Sequence, residues 1–210
     1  LAVMQSMSGS VFDIAFSPDG SQFALGSYRN VIVYDFATRK IIQTFSDEAR
    51  FSSVLFSADG TRLLAGKQHL ETEENSVVVW NLESGEVEQS LMGFEDYVTS
   101  LEWADNGNLL MAHAAGPSTG FVYFYEPETW TLVSSIEERL EVTTVSSDGR
   151  LLAGMSFNTI QVWDIVETPT LLWGLEYDFV TGRNGADLEF SPDDMRLLAV
   201  YSAKGDASEE

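Results

Sequence analysis

The chain has 210 residues, and 11 Lys+Arg against 33 Asp+Glu give it a formal net charge of −22. So acidic a surface repels phosphate backbones and anionic lipid, which argues against nucleic acid or a membrane surface as a general partner. Hydrophobic residues at 44% and aromatics at 12% are enough for a sizeable core and argue against disorder, and the acidity keeps a β-rich protein soluble.

In chain order, residues 1–7 (LAVMQSM) read as an outer strand. The predicted strands that follow are 11–17, 22–27, 31–35 and 40–45, then 51–57, 62–66, 77–81 and 87–92. A third set is 97–103, 108–113, 121–126 and 131–136, and a fourth is 141–146, 150–155, 160–164 and 170–175. The last set supplies only 186–190 and 196–201. These segments are short, rich in Val, Ile, Phe and Tyr, and broken by Gly, Asn, Asp and Ser. No window keeps a helical period for the ten or so residues a helix needs.

The sets are copies of one another. AFSPDGSQFALG at 15–26 recurs as LFSADGTRLLAG at 55–66 and EFSPDDMRLLAV at 189–200, with looser forms at 102–112 and 145–154. Residues Phe16, Phe56, Trp103, Val145 and Phe190, just before each polar turn, are spaced 40, 47, 42 and 45 apart. Tyr34, Trp80, Tyr125 and Trp163 form a second anchor, spaced 46, 45 and 38 apart. A period in the low forties on two independent anchors predicts four-stranded propeller blades. The fold class is therefore all-β, a β-propeller of four-stranded antiparallel blades in one domain: four blades over 11–45, 51–92, 97–136 and 141–175, and part of a fifth over 186–201. Pro18 presets φ, Asp19 bonds its own backbone and Gly20 accepts a positive φ, so SPDG closes a hairpin. VIVY and VVVW are apolar on both faces, as strands held between neighbouring sheets must be.

On SPDG, VVVWN (77–81) and IQVWD (Ile160 to Asp164) the chain resembles the WD-repeat β-propellers over essentially its whole length. Gly93-Phe94 stands where that family places Gly-His. A true Trp-Asp occurs at Trp163-Asp164, and with two histidines the family's buried Asp-His-Ser/Thr-Trp network cannot recur in every blade, which places the chain among divergent, bacterial-type members. The resemblance implies a ring of about seven blades, within the four-to-eight range of propellers. On that expectation the chain is part of a larger ring, with the missing blades supplied by the rest of its parent or by another subunit.

Little in the sequence points to chemistry. There is no cysteine and no phosphate-binding glycine loop, and neither a catalytic residue nor a cofactor is expected. Two distant histidines, His69 and His113, cannot make a zinc cluster, and loop-packing or solvent-facing roles suit them. The acidic run LETEEN (70–75) fits no calcium-loop spacing. Tyr34, Trp80, Tyr125 and Trp163 hold a fixed place in the repeat and are expected in the core. No stretch reaches the ~20 apolar residues of a membrane span, and composition leaves the compartment open between cytoplasmic and extracytoplasmic.

The variable parts are more informative. The long insertions, 67–75, 113–120 and 176–187, all fall in loops that join strand b to c or strand d to the next a, and so elaborate one face. That face also carries Arg29, Arg50, Lys67, Arg139 and Arg183. The reading is a non-catalytic scaffold that binds a protein or peptide partner through Tyr28, Arg29, Lys67, His113, Phe157, Tyr177 and Arg183, as the resembled family uses its loop-rich face. The alternatives are a substrate-gating propeller of a larger enzyme such as a peptidase, or a secreted or surface structural subunit.

Overall fold

The computed structural model describes residues 10–72, 74–104, 107–116, 120–156, 159–176 and 187–200. Strands and the turns between them make up nearly all of it. The first sheet has six strands in the order β1-β2-β3-β4-β5-β6: Val11–Phe16, Gln22–Asp35, Ile41–Phe56, Arg62–His69, Asn75–Asn81 and Val87–Met92. The second contains β7 (Val98–Ala104), β8 (Leu109–Ala115), β9 (Gly120–Glu126) and β10 (Thr131–Glu137), ordered β10-β9-β8-β7. The third runs β11 (Val142–Val145), β12 (Leu151–Met155), β13 (Thr159–Asp164) and β14 (Thr170–Glu176). A hairpin of β15 (Asp187–Phe190) and β16 (Leu197–Val200) ends the described chain.

The six-stranded sheet is two predicted blades joined. Four of the expected strands are fused in pairs, 22–27 with 31–35 and 40–45 with 51–57, so that β2 and β3 each run through what was expected to be a loop. The cause is extra pairing at one end of the sheet: Tyr28 sits opposite Arg50, Arg50 opposite Gln68, and Ala49 opposite His69. Backbone groups that a loop would leave to water are thereby bonded within the ladder. Residues 1–7, the expected outer strand, lie outside the described residues.

The chain divides into two compact units, Leu1–Glu102 with Ala112–Pro117, and Trp103–Met111 with Ser118–Glu210. In the first, Val31, Val33, Val78 and Trp80 pack with Phe45, Phe51, Val54, Phe56 and Leu63. The central strands are buried on both faces, as their unbroken apolar runs require. Trp80 stacks on Phe45 with ring centroids 4.5 Å apart, and Tyr34 on Phe23 at 5.1 Å. In the second unit, Trp163 packs with Met111, Phe124, Ile136, Leu140 and Leu152, and Leu188 packs with Ala153, Met155 and Ile160. Tyr34, Trp80, Tyr125 and Trp163 are all buried, as core residues should be.

Two local devices hold the hairpins. In the turns between strands a and b, the hydroxyl of Ser17, Ser57, Ser146 or Ser191 accepts the N–H of Gln22, Arg62, Leu151 or Arg196 at 2.9–3.0 Å. The same hydroxyl donates to the Asp two residues on (Asp19, Asp59, Asp148 or Asp193), which in turn accepts the N–H two residues beyond itself. In the turns between strands c and d, the residue after the repeat aromatic is the acceptor. Asp35 takes the N–H of Thr38, Asn81 those of Glu83 and Ser84, Glu126 those of Glu128 and Thr129, and Asp164 that of Val166. The Asp of a Trp-Asp pair is thus a turn acceptor, and Asn or Glu fills the same role.

Candidate protein-interaction face

The fused end of the six-stranded sheet, within the first unit, is where the sequence places its b–c and d–a loops. Its frame is the short ladder from Tyr28 through Arg50 to Gln68, extended by Phe51 opposite Lys67. Tyr28 lies about half exposed, its ring edge-on to Phe12 at 4.8 Å. Arg29 follows with a φ of 67°, a strained backbone for a residue with a Cβ, at the register shift that turns β2 from one blade edge into the next. Its guanidinium meets Glu48 at 2.8 Å, and both side chains are largely in water. Such a pair adds little stability.

Lys67 is less exposed and reaches Asp47 at 2.5 Å. The ammonium hydrogen bond from Lys67 is the main reason that the Asp47 carboxyl titrates below its ordinary range. The acidic loop beyond β4 folds back on this edge. Leu70 N–H donates to the Glu48 carbonyl at 2.9 Å, and His69 Nδ1 accepts the N–H groups of Glu71 and Thr72 at 3.3 and 3.4 Å. Among the described residues, no group of His, Cys, Asp and Glu is gathered as a metal site would need.

His113 departs from the expectation of a partner contact. It lies inside β8 and is only 2% exposed, because the strand runs on to Ala115 through what was expected to be loop. Its Nδ1 is 3.0 Å from the Thr99 hydroxyl, which also donates to the His113 carbonyl at 3.1 Å. Both contacts are satisfied together when Nδ1 carries the proton. His113 therefore fastens strand b to strand a beneath the face. Phe157, Tyr177 and Arg183 lie outside the described residues.

The residue that the list of expected contacts passed over is Arg50. Its guanidinium carbon sits 4.3 Å from the centroid of the Phe12 ring and 5.6 Å from that of Tyr97. Its Nε is buried with no acceptor among the described residues. The sequence marks Arg50 as a basic residue of this face and nothing more, since its ring partners come from the first and third repeats.

Residues 2–35 match the family model described as "WD domain, G-beta repeat". The fold is that of a β-propeller, and the match is to a single WD repeat. The chain is 25% identical over 149 residues to Meiotic fizzy-related protein 1 of Schizosaccharomyces pombe, a match covering 67% of the chain and 33% of that protein. The chain thus spans about a third of that curated relative. In fold it is similar to a chain of Kuenenia stuttgartiensis Hydrazine Synthase, with a TM-score of 0.78 and 16% identity, over 100% of this chain and 60% of that one. WD-repeat proteins in general bind protein partners and do no chemistry, although this structural neighbour belongs to an enzyme.

Proposed function

We propose that this WD-repeat propeller is a non-catalytic interaction scaffold and that its protein or peptide partner docks on the face described above. The observation that supports this reading most is the extra ladder joining Tyr28, Arg50 and Gln68. A pre-ordered surface loses little conformational freedom on binding, and here aromatic and basic side chains stand on continuous sheet rather than on loose loops. The opposite ends of the same strands close in minimal turns whose side chains are spent on their own backbone. Arg and Tyr are also the residue types that tend to dominate binding energy.

The test is a peptide-display selection against the whole chain, with the selected peptides remeasured on variants. Tyr28→Ala, Arg29→Ala and Lys67→Ala should weaken binding, and Phe157→Ala, Tyr177→Ala and Arg183→Ala extend the same test. Glu83→Ala and Asp59→Ala, in the opposite turns, should leave it unchanged. Binding that follows the turn variants instead would move the site to the other face. In the same reading further blades, from the parent chain or another subunit, cover apolar surface such as Leu171, Leu172, Trp173 and Leu175 of β14, each about half exposed. Native mass measurement of the natural protein tests that part.

A further inference from the structure

We infer that Arg50 is a receptor for a carboxylate, and that the partner presents an acidic side chain to this guanidinium. The inference rests on the interaction-face reading and says what that face recognises. Among the described residues, two of the three basic side chains on this ladder are paired with carboxylates. Arg29 is matched by Glu48 and Lys67 by Asp47. Arg50, on the same ladder, has no carboxylate within ion-pair distance among the described residues, and its contacts are with rings. A half-buried cation without a counter-ion in an acidic chain is unusual, because paired charge is the rule where water is partly excluded.

The geometry favours one ligand chemistry. A guanidinium lying over an aromatic face keeps its N–H groups in its own plane, pointing past the ring edge, and the ring limits how the head can turn. Two parallel N–H groups held in this way match the two oxygens of a carboxylate, the bidentate pairing that sets Arg apart from Lys. Phe12 and Tyr97 therefore act as positioning residues, with Tyr28 steadying Phe12 from its edge. The chain's overall negative charge does not forbid this, since repulsion between separated surface charges is screened over about 8 Å at physiological salt. At contact, Glu48 and Asp47 are already paired with Arg29 and Lys67, and the fork decides.

The experiment uses the full 210-residue chain, isotopically labelled, with the Arg Nε–H resonances assigned through Arg50→Lys and Arg29→Lys. The probes are acetyl-tetraglutamate amide, the tetraglutamine counterpart and a tetrapeptide carrying one phosphoserine. The expected result is a saturable shift of the Arg50 Nε–H signal with the glutamate peptide, no shift with glutamine, and an Arg29 signal that barely moves. Arg50→Gln should weaken the glutamate peptide roughly tenfold or more, and Arg50→Lys should recover only part of the loss. Changing the ligand from Glu to Gln needs no protein variant, so the test survives if Arg50→Gln folds poorly. Equal shifts at Arg29 and Arg50, no shift up to millimolar peptide, or tighter binding of the phosphoserine peptide than of glutamate would each overturn the carboxylate assignment. Glutamate binding that depends on Tyr28 and Lys67 but ignores Arg50 would remove this inference and leave the face standing. Binding at the turns headed by Asp35 and Asn81 would remove both.

Discussion

Asp194 accepts hydrogen bonds from Ser147, the backbone N–H to Oδ1 at 2.8 Å and the hydroxyl to Oδ2 at 2.6 Å, so that the turn of the final hairpin grips the turn of the preceding blade. A third bond comes from the Asp148 N–H at 3.2 Å. Asp194 occupies the place held by Gly20, Gly60 and Gly149 in the other turns, and it adopts the same positive φ, 54° against 69°, 70° and 72°. Asp tolerates that conformation better than most residues do, at some backbone cost. Asp194→Gly should relieve the strain yet lower the melting temperature by a few degrees, because three bonds between turns are lost. Asp194→Asn should fall between the two. Amide hydrogen exchange at Ser147 reads the grip directly and should speed up in the glycine variant.

The turn of the second blade should show its carboxylate in acid. Hydrogen bonding from the Ser57 hydroxyl first, and then from the Thr61 N–H and hydroxyl, holds the Asp59 carboxyl down at about 2. Its unfolded value is about 3.9. Because the folded pKa is the lower one, the turn's contribution is full above about pH 4 and is lost as pH falls through about 2. The side chain is largely exposed, so solvent screening keeps the effect small. Urea midpoints measured at pH 4 and pH 2 should fall less steeply in Asp59→Asn, which cannot titrate, than in the parent chain.

Strand b carries a glycine where the neighbouring chain comes closest. A Cβ at Gly66 would sit 2.9 Å from Val98 Cβ and 3.0 Å from the Val98 carbonyl oxygen, beside the bond that Ser52 donates to that oxygen at 2.6 Å. Backbone cannot move aside there. Gly66→Ala should destabilise the chain by roughly 1–3 kcal/mol, the range for overpacking. At Gly154 the obstacle is the tip of the Leu140 side chain, which can rotate, so Gly154→Ala should cost less. Denaturant unfolding of both variants ranks them, and the opposite order would refute the argument.

Trp80 is 6% exposed, stacked on Phe45 and tilted against Phe51 at 5.8 Å. Trp80→Ala should cost about 3–5 kcal/mol, with Trp80→Phe retaining much of the stacking. A nearly unchanged unfolding midpoint for Trp80→Ala would show that the repeat aromatic is not a core residue.

The repeat was legible in the sequence because its physics is local. A turn such as SPDG is decided by a few residues acting on their own backbone, through a positive φ at Gly20 and a carboxylate at Asp19. The runs VIVY and VVVW announce their burial on both faces without reference to anything distant. The all-β strand pattern and the burial of Tyr34, Trp80, Tyr125 and Trp163 therefore followed from pattern, while the fusion of expected strands into β2 and β3 did not. The serine that closes the turns after Phe16, Phe56, Val145 and Phe190 was visible as a letter, but its double role emerged only from geometry, since a hydroxyl declares neither its donor nor its acceptor until the backbone is placed.

What the sequence left open depended on residues from different repeats meeting. Tyr28, Arg50 and Gln68 share a ladder because loops expected to be separate pair with one another, and no periodic signal encodes pairing between loops. His113 looks like a loop residue until β8 is seen to run past it and Thr99 to bond it. Arg50 is one basic letter among eleven until Phe12 and Tyr97 close around it. Charge and aromatic character are properties of single residues, whereas a guanidinium set against two rings is a property of three chain segments brought together, and folding alone sets that distance.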